Sequence, residues 1–288
     1  MTQRILLQLD CDHQPSSFDS VVAIDAGVER LLTYADVQVT TIVPLVHGAM
    51  FTRGGDDLRN TAIFIGGSDV AEAEALFRIA TGAFFGPVRV SVMLDANGCN
   101  TTAAAAVVAA GRHVELSQSK AVVLGGTGPV GRRAAQMLAS VGATVSLTSR
   151  SIERASEACK QIAERVEGAK LNPQAPYTSG QVQDVVADAD IVIASGAAGV
   201  QLISQDGLSQ IETLKVAIDL NAVPPAGIEG IGVTDKAKPL THGVGYGAIG
   251  VGGLKMRTHK AAINQLFESN DKQFDADEIF QIAQQIDE

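Results

Sequence analysis

Residues Ala121 to Gly131 read AVVLGGTGPVG, and the order of their residue types decides the fold. The apolar run Ala121 to Leu124 predicts a strand, the glycines at 126, 128 and 131 a tight turn, and the following RRAAQMLAS a helix. Each glycine of such a turn has its own task. Gly126 permits the sharp turn off the strand, Gly128 lets backbone N–H groups approach a diphosphate, and Gly131 lets the helix pack against the strand without a Cβ in between. Gly126, Thr127, Gly128, Pro129, Val130 and Gly131 therefore form a candidate dinucleotide cradle, with the anion at the helix N-terminus. The competing reading is an ordinary βα turn. A second strand, Ala143 to Thr148, completes most of a βαβ unit and favours the cradle.

The end of that second strand chooses the cofactor. An NAD site carries Asp or Glu about twenty residues past the fingerprint to bind the ribose 2′-hydroxyl. This chain reads Thr148-Ser149-Arg150-Ser151 there, with no acid. Arg150 and Ser149, with Ser151 and Arg154 as further candidates, offer a guanidinium fork and hydroxyls suited to a 2′-phosphate. The expected cofactor is NADP, with NAD the weaker alternative.

Outward from this unit, 288 residues suggest about two domains. Charged residues make up 19% and the formal net charge is −10, which argues against nucleic acid and against an anionic membrane surface as partners. Aromatics are 4% with no Trp, so a base-stacking platform is not expected. Cys11, Cys99 and Cys159 share no metal-ligand spacing and read as reduced thiols of a cytoplasmic protein. Met1 to Asp10 lacks the pattern of a signal peptide, and the stretch Ala103 to Gly111 is too short to span a bilayer.

The first hundred residues alternate in type. Ile5 to Leu9, Thr41 to Val46, Thr61 to Ile65 and Val88 to Leu94 read as strands or β-rich runs. Helices are expected over Phe18 to Val28, capped by Ser16 or Ser17, from Asp69 to Ile79, and from about Thr101 to Ala110. A polar joint at Ser117 to Lys120 divides an α/β substrate domain, 1–115 completed by 255–288, from a Rossmann-type domain, 116–254. Beyond the βαβ unit come a helix (Glu153 to Val166), a Pro-containing loop (Asn172 to Pro176), and two strands, Asp190 to Ala194 and Val216 to Leu220. Ligands of open α/β sheets lie outside the carboxyl ends of strands. Ser195, Gly196, Asp219 and Asn221 are thereby placed to line the nicotinamide end, or are turn residues bonding their own backbone. The glycine-rich Gly243 to Gly253 leads into a helix, with Lys255 just after the glycines as either a site residue or a solvated one. A last helix, Ala276 to Ile286, has an apolar face expected to return to the first domain.

Taken together, PSSFD (15 to 19), FTRGGDD with TAIFIGG (51 to 67), MLDANGCNTTAA (93 to 104), LGGTGPVG (124 to 131), DLNAVPPAGIEGI (219 to 231) and GAIGVGGLK (247 to 255) resemble the bacterial NAD(P)-dependent methylene-tetrahydromethanopterin dehydrogenases of one-carbon metabolism. The resemblance covers nearly the whole chain. It implies hydride transfer from methylene-tetrahydromethanopterin to NADP in the oxidation of formaldehyde carbon, with folate analogues or NAD accepted by some members. It also implies a homo-oligomer, a trimer among the candidates. Matching of motif positions implies that Asp19, Asp95, Asn97 and Thr102 face the pterin and that Lys255 reaches the site as its candidate catalytic residue.

The chemistry agrees with what the sequence lacks. The methylene carbon lies between two nitrogens whose lone pairs stabilise the cation left when hydride departs, so no metal and no His–Asp dyad is required. The five histidines, His13, His47, His113, His242 and His259, form no ligand-spaced cluster and read as structural or surface residues. A Lys aimed at the reacting carbon would oppose the developing cation, so Lys255 is expected to bind a carbonyl or other electron-rich group of the pterin. The rivals are an NADP-dependent methylene-tetrahydrofolate dehydrogenase, a shikimate-dehydrogenase-like enzyme with the same two-domain plan, and a non-catalytic NADP-sensing protein.

Overall fold

The computed structural model describes residues 2–287. Strand and helix alternate through β1 (Ile5–Asp10), α1 (Ser17–Asp25), β2 (Arg30–Tyr34), α2 (Ile42–Phe51), β3 (Thr61–Gly66), α3 (Val70–Gly82), β4 (Ser91–Leu94) and α4 (Cys99–Gly111). There follow β5 (Lys120–Leu124), α5 (Pro129–Ser140), β6 (Thr144–Thr148), α6 (Ile152–Ala163), β7 (Lys170–Gln174), α7 (Ser179–Val186), β8 (Ile191–Ala194), α8 (Gln205–Ser209), β9 (Val216–Asp219), β10 (Lys238–Pro239) and β11 (Val244–Tyr246). The chain continues through α9 (Ala248–Gln265), β12 (Gln273–Phe274) and α10 (Ala276–Gln285). It divides into two compact units, Met1–Thr101 with Met256–Glu288 and Thr102–Lys255. The first division falls within α4, ahead of the polar stretch at 117–120 where the sequence suggests a joint.

The first unit is built on a parallel sheet of order β12-β4-β3-β1-β2. Counted along the chain this is 2-1-3-4-5, a doubly wound order whose switch point lies between β1 and β3. A parallel sheet covered on both faces needs apolar side chains on both, and β3 (TAIFIG) is buried at every position. β12 adds the fifth strand from the far end of the sequence, and the Val92 N–H donates to the Lys272 carbonyl at 2.8 Å. After it, the Asp275/Glu278 capping box starts α10, which buries Ile279, Phe280, Ile282 and Ala283.

The second unit carries the sheet β10-β11-β9-β8-β5-β6-β7, parallel except for β10. Starting from β5 and leaving β10 aside, the order is 3-2-1-4-5-6, that of the Rossmann fold, and the strand order reverses between β5 and β8.

Several local expectations differ from the structure. Thr41 to Val46, expected as a β-rich run, opens α2, whose buried Ile42, Val46, Ala49 and Met50 recur at helical spacing. The loop expected over Asn172 to Pro176 overlaps β7. Pro173 pairs with Leu147 on the last strand of the sheet, where its missing N–H faces no neighbouring strand. The half-exposed edge strand β2 was not expected from its sequence. Within the glycine-rich stretch before Lys255, Gly250, Gly252 and Gly253 belong to α9 itself.

At the β5–α5 turn the glycine roles shift by one residue. The left-handed backbone is at Gly125 (φ +65°), where a Cβ would lie 2.6 Å from the Gly196 Cα. A Cβ on Gly126 would meet the Leu147 side chain at 2.9 Å, and one on Gly131 would meet the Gly126 Cα at 2.7 Å and the Ser195 hydroxyl. Gly128, the N-cap of α5, has nothing nearer than the Ser195 carbonyl at 3.9 Å, so the space above it is open. Chemical denaturation is therefore expected to find Gly131→Ala destabilised by about 2 kcal/mol, as for overpacking of a filled site. Gly128→Ala should stay within about 1 kcal/mol of the wild type.

Candidate functional site

In the second unit, the groups at the carboxyl ends of β5, β6, β8 and β9 converge on the switch point. Pro129 at N1 removes one of the unpaired N–H donors that open α5 and fixes a helical φ, so the helix starts directly above the open Gly128. Thr148 holds the turn in place. Its Oγ1 accepts from the Gly125 N–H at 3.0 Å and its carbonyl accepts from the Gly126 N–H at 2.9 Å. Immediately after it, the Ser149 hydroxyl lies 3.5 Å from that of Thr127, and Arg150 is exposed, with no hydrogen bond or ion pair among the described residues. The turn and the candidate 2′-phosphate group are thus joined through one threonine.

Ser151 is engaged elsewhere. It caps α6 through the Arg154 N–H at 3.3 Å and donates to Glu153 at 2.6 Å, a bond that holds the Glu153 carboxyl below its usual range. That leaves Thr127, Ser149 and Arg150, with the exposed Arg154 in the first turn of α6, as the polar side chains near the end of β6.

At the end of β8, the Ser195 N–H donates to the Leu124 carbonyl at 2.9 Å and its hydroxyl to the same carbonyl at 3.4 Å. Gly196 runs beside Gly125, and a Cβ there would touch Leu202 at 2.9 Å. After β9, Asn221 is fully involved in its own loop. Its N–H donates to Asp219 at 3.0 Å, its amide nitrogen to the Pro225 carbonyl at 3.1 Å, and its amide oxygen accepts from Val223 at 3.0 Å. The buried Asp219 also accepts from the Ile228 N–H at 3.0 Å, so both residues shape the loop. Gly125 and Thr148 are the site residues that sequence reasoning passed over; the doubled glycine at 125–126 is the signal for the first.

Lys255 is half-buried on α9. The glycines ahead of it divide into two kinds. A Cβ on Gly247 or Gly250 would collide with the carbonyls of Gly232 and Asp235 respectively, whereas Gly252 and Gly253 have nothing within 4 Å. Open space thus lies one turn before the lysine.

The first unit holds Asp19, Asp95 and Asn97, while Thr102 falls in the second. Ser16 caps α1 by accepting from the Asp19 N–H at 3.2 Å, and the largely buried Asp19 stands over the end of β3, where Gly66 leaves room for it. Asp95, expected to face the pterin, is instead fully buried. One carboxylate oxygen accepts from the Asn100 and Thr101 N–H groups at 2.9 and 3.1 Å, the other from the Thr101 hydroxyl at 2.6 Å. It caps α4 and turns the chain at Asn97, which has left-handed φ of 52° and is the one exposed residue between Ser91 and Asn100. The Asn97 amide has no partner among the described residues.

Asp10, Cys11 and Asp12 lie close enough together to suggest a cation site, but their atoms are engaged. Asp10 accepts from the Asp12 and Ser16 N–H groups, Asp12 from the N–H and hydroxyl of Ser68, and burial pushes the Cys11 thiol up to about 11, keeping it protonated at neutral pH. The three tie down a turn.

Similarity to known proteins agrees with this arrangement. The family profile described as methylene-tetrahydromethanopterin dehydrogenase, N-terminal, matches residues 17–97, and that of the alanine dehydrogenase/PNT C-terminal domain matches residues 91–271. Among solved structures, shikimate 5-dehydrogenase from Listeria monocytogenes superposes with a TM-score of 0.56 over 97% of this chain and 96% of that one, at 14% identity, a likeness of fold. The Bifunctional protein MdtA of Methylorubrum extorquens is 42% identical over 99% of this chain and all of that protein. The NAD(P)-dependent methylenetetrahydromethanopterin dehydrogenase of the same organism is 34% identical over 94% of each. With two such relatives along nearly its whole length, the chain belongs to the methylene-tetrahydromethanopterin dehydrogenase family.

Proposed function

We propose that this protein oxidises methylene-tetrahydromethanopterin to the methenyl form and passes the hydride to NADP. The observation that supports it most directly is the open space over Gly128 at the N-terminus of α5, in a 3-2-1-4-5-6 sheet, beside an acid-free strand end that presents an unpaired Arg150. A dinucleotide fits these residues: its diphosphate needs a backbone without a Cβ, and its 2′-phosphate needs a guanidinium with no other partner. When bound, NADP supplies the hydride acceptor.

The chain's own residues then bind and orient. The turn Gly126, Thr127, Gly128, Pro129, Val130 and Gly131 holds the diphosphate, and Thr127, Ser149 and Arg150 hold the 2′-phosphate. Ser195 and Gly196 line the nicotinamide end, and Asn221 contributes by fixing the loop after β9. Asp19 and Asn97 contact the pterin, with Thr102 on the same substrate. Lys255 binds an electron-rich group of the ring rather than the reacting carbon, because a cation there would raise the barrier to hydride departure. The protein acts as a homo-oligomer in the cytoplasm.

Purified protein with NADP, followed by NADPH absorbance, is expected to turn over methylene-tetrahydromethanopterin rapidly and methylene-tetrahydrofolate slowly. Turnover of the folate alone would make it a folate dehydrogenase. Silence with both, alongside tight NADP binding, would favour a sensor. Arg150→Asp should weaken NADP by about a hundredfold, the scale of a charge-assisted contact replaced by repulsion, and leave NAD within a few-fold. Equal losses for both cofactors would remove Arg150 from 2′-phosphate recognition.

A further inference from the structure

A buried histidine on α9 stands behind the exposed Asn97. His259, read from sequence as a structural or surface residue, has no solvent exposure. Its ring stacks on Phe64 of β3, with centroids 5.6 Å apart and planes 24° apart, and lies 6.5 Å from the ring of Phe18 on α1. Its Nδ1 is 4.0 Å from the carboxylate of Asp95, which is equally buried. The aspartate accepts hydrogen bonds from the Asn100 and Thr101 donors of α4, and on another side it is backed by the imidazole of α9, a contact 4.0 Å long and beyond hydrogen-bond reach. In a dry interior a polar ring packed beside a carboxylate limits how far the carboxylate can shift and keeps its surroundings polar.

That orientation matters because the chain reverses between Asp95 and Asn100. Asn97 and Gly98 both have left-handed φ, of 52° and 59°, and the Gly98 N–H returns to the Asp95 carbonyl at 3.0 Å. The reversal leaves the Asn97 amide free at the surface while every neighbour from Ser91 to Asn100 is buried. A free amide presented from a tightly pinned turn at the carboxyl end of a strand is suited to a hydrogen-bonding heterocycle, which offers both donors and acceptors.

We infer that His259 is a positioning residue for substrate: through Asp95 it fixes the turn that presents the Asn97 amide to the pterin. The inference rests on the proposed reaction. It adds a residue that touches neither substrate nor cofactor and whose effect falls on carrier binding alone.

A double-mutant cycle tests it in the full-length protein. Asn97→Gly removes the amide while keeping the left-handed backbone accessible, and His259→Phe keeps an aromatic ring beside Phe64 while removing the nitrogen that faces Asp95. Each single variant should raise KM for the methylene carrier by about tenfold, the scale of one lost polar contact, with kcat and NADP affinity little changed. The double variant should be no more than about threefold worse than either single one. His259→Gln, which restores a polar group toward Asp95, should return KM to near wild type. Hydrogen exchange at the Asn100 and Thr101 amides should quicken in His259→Phe, a readout independent of activity.

Effects that multiply to about a hundredfold in the double variant, an unchanged KM in His259→Phe, or unchanged exchange at those amides would overturn the proposal. So would failure of both His259 variants to fold, which would make the residue a requirement of the core. A wild-type protein that oxidises neither carrier defeats the functional reading instead, and the exchange measurement still decides whether the histidine holds the turn.

Discussion

The ligand end of the second unit depends on how closely two backbones pass where β5 and β8 end. A Cβ at Gly125 would lie 2.6 Å from the Gly196 Cα, closer than non-bonded carbon atoms can approach. Because Gly125 lacks a side chain, the loop after β5 can pass this close to the loop after β8 at the point where the strand order reverses and open α/β sheets form their crevice. The same constraint repeats one turn further on, where Gly131 must sit against Gly126 for α5 to reach the sheet. Thr148 then couples this turn to the neighbouring strand, so a displacement at the end of β6 would move the glycine loop and Ser149 together.

Polar residues at strand ends fall into two populations in this protein. Asp10, Asp95 and Asp219 are at most 1% exposed, and each carboxylate accepts backbone N–H groups from the loop that follows its strand. They give the loops their shape, because a buried carboxylate is stable only when fully hydrogen-bonded. Asn97, on the loop that Asp95 shapes, and Arg150, after β6, are exposed, and Ser149 is partly so. The division is physical rather than compositional: an aspartate at or just past the end of a strand can turn its short side chain back onto the N–H groups that follow, whereas an arginine is too long to do so and reaches solvent.

This division explains which parts of the site were legible in the sequence. The βαβ unit was readable because three signals of different period, an apolar run, spaced glycines and a helical face, fall in succession from Ala121 to Ser140. Arg150 was readable because its place is counted from the glycines. Asp95 was placed correctly along the chain, at the carboxyl end of β4, yet the direction of its side chain follows the donors at Asn100 and Thr101, and the imidazole packed 4.0 Å from it comes from 164 positions away; no local pattern contains these. His259 was opaque for the same reason. Among the strands that went unread, β2 and β7 lie at sheet edges, where partial exposure dilutes the apolar signal and a proline is tolerated, and β10, β11 and β12 are only two or three residues long. α2 misled because Ile42, Val43 and Val46 are residues that strands also favour.

A protein of net charge −10 that binds a trianionic or tetra-anionic dinucleotide must solve an electrostatic problem locally. Charges more than about 8 Å apart are largely screened at physiological salt, so the many surface carboxylates hardly reach a phosphate at the β6 end. The groups that lie near that strand end are the N-terminal dipole of α5, the Arg150 guanidinium and the hydroxyls of Thr127 and Ser149. The one carboxylate nearby in sequence, Glu153, is bound to the Ser151 hydroxyl at 2.6 Å, which fixes the position of its charge at the start of α6. Its presence keeps the strand end from being simply a basic patch. On the proposed role of Arg150, discrimination between the two nicotinamide dinucleotides depends on whether a phosphate draws the guanidinium away from solvent against that fixed negative neighbour. A ribose hydroxyl, being neutral, would gain much less from the same guanidinium.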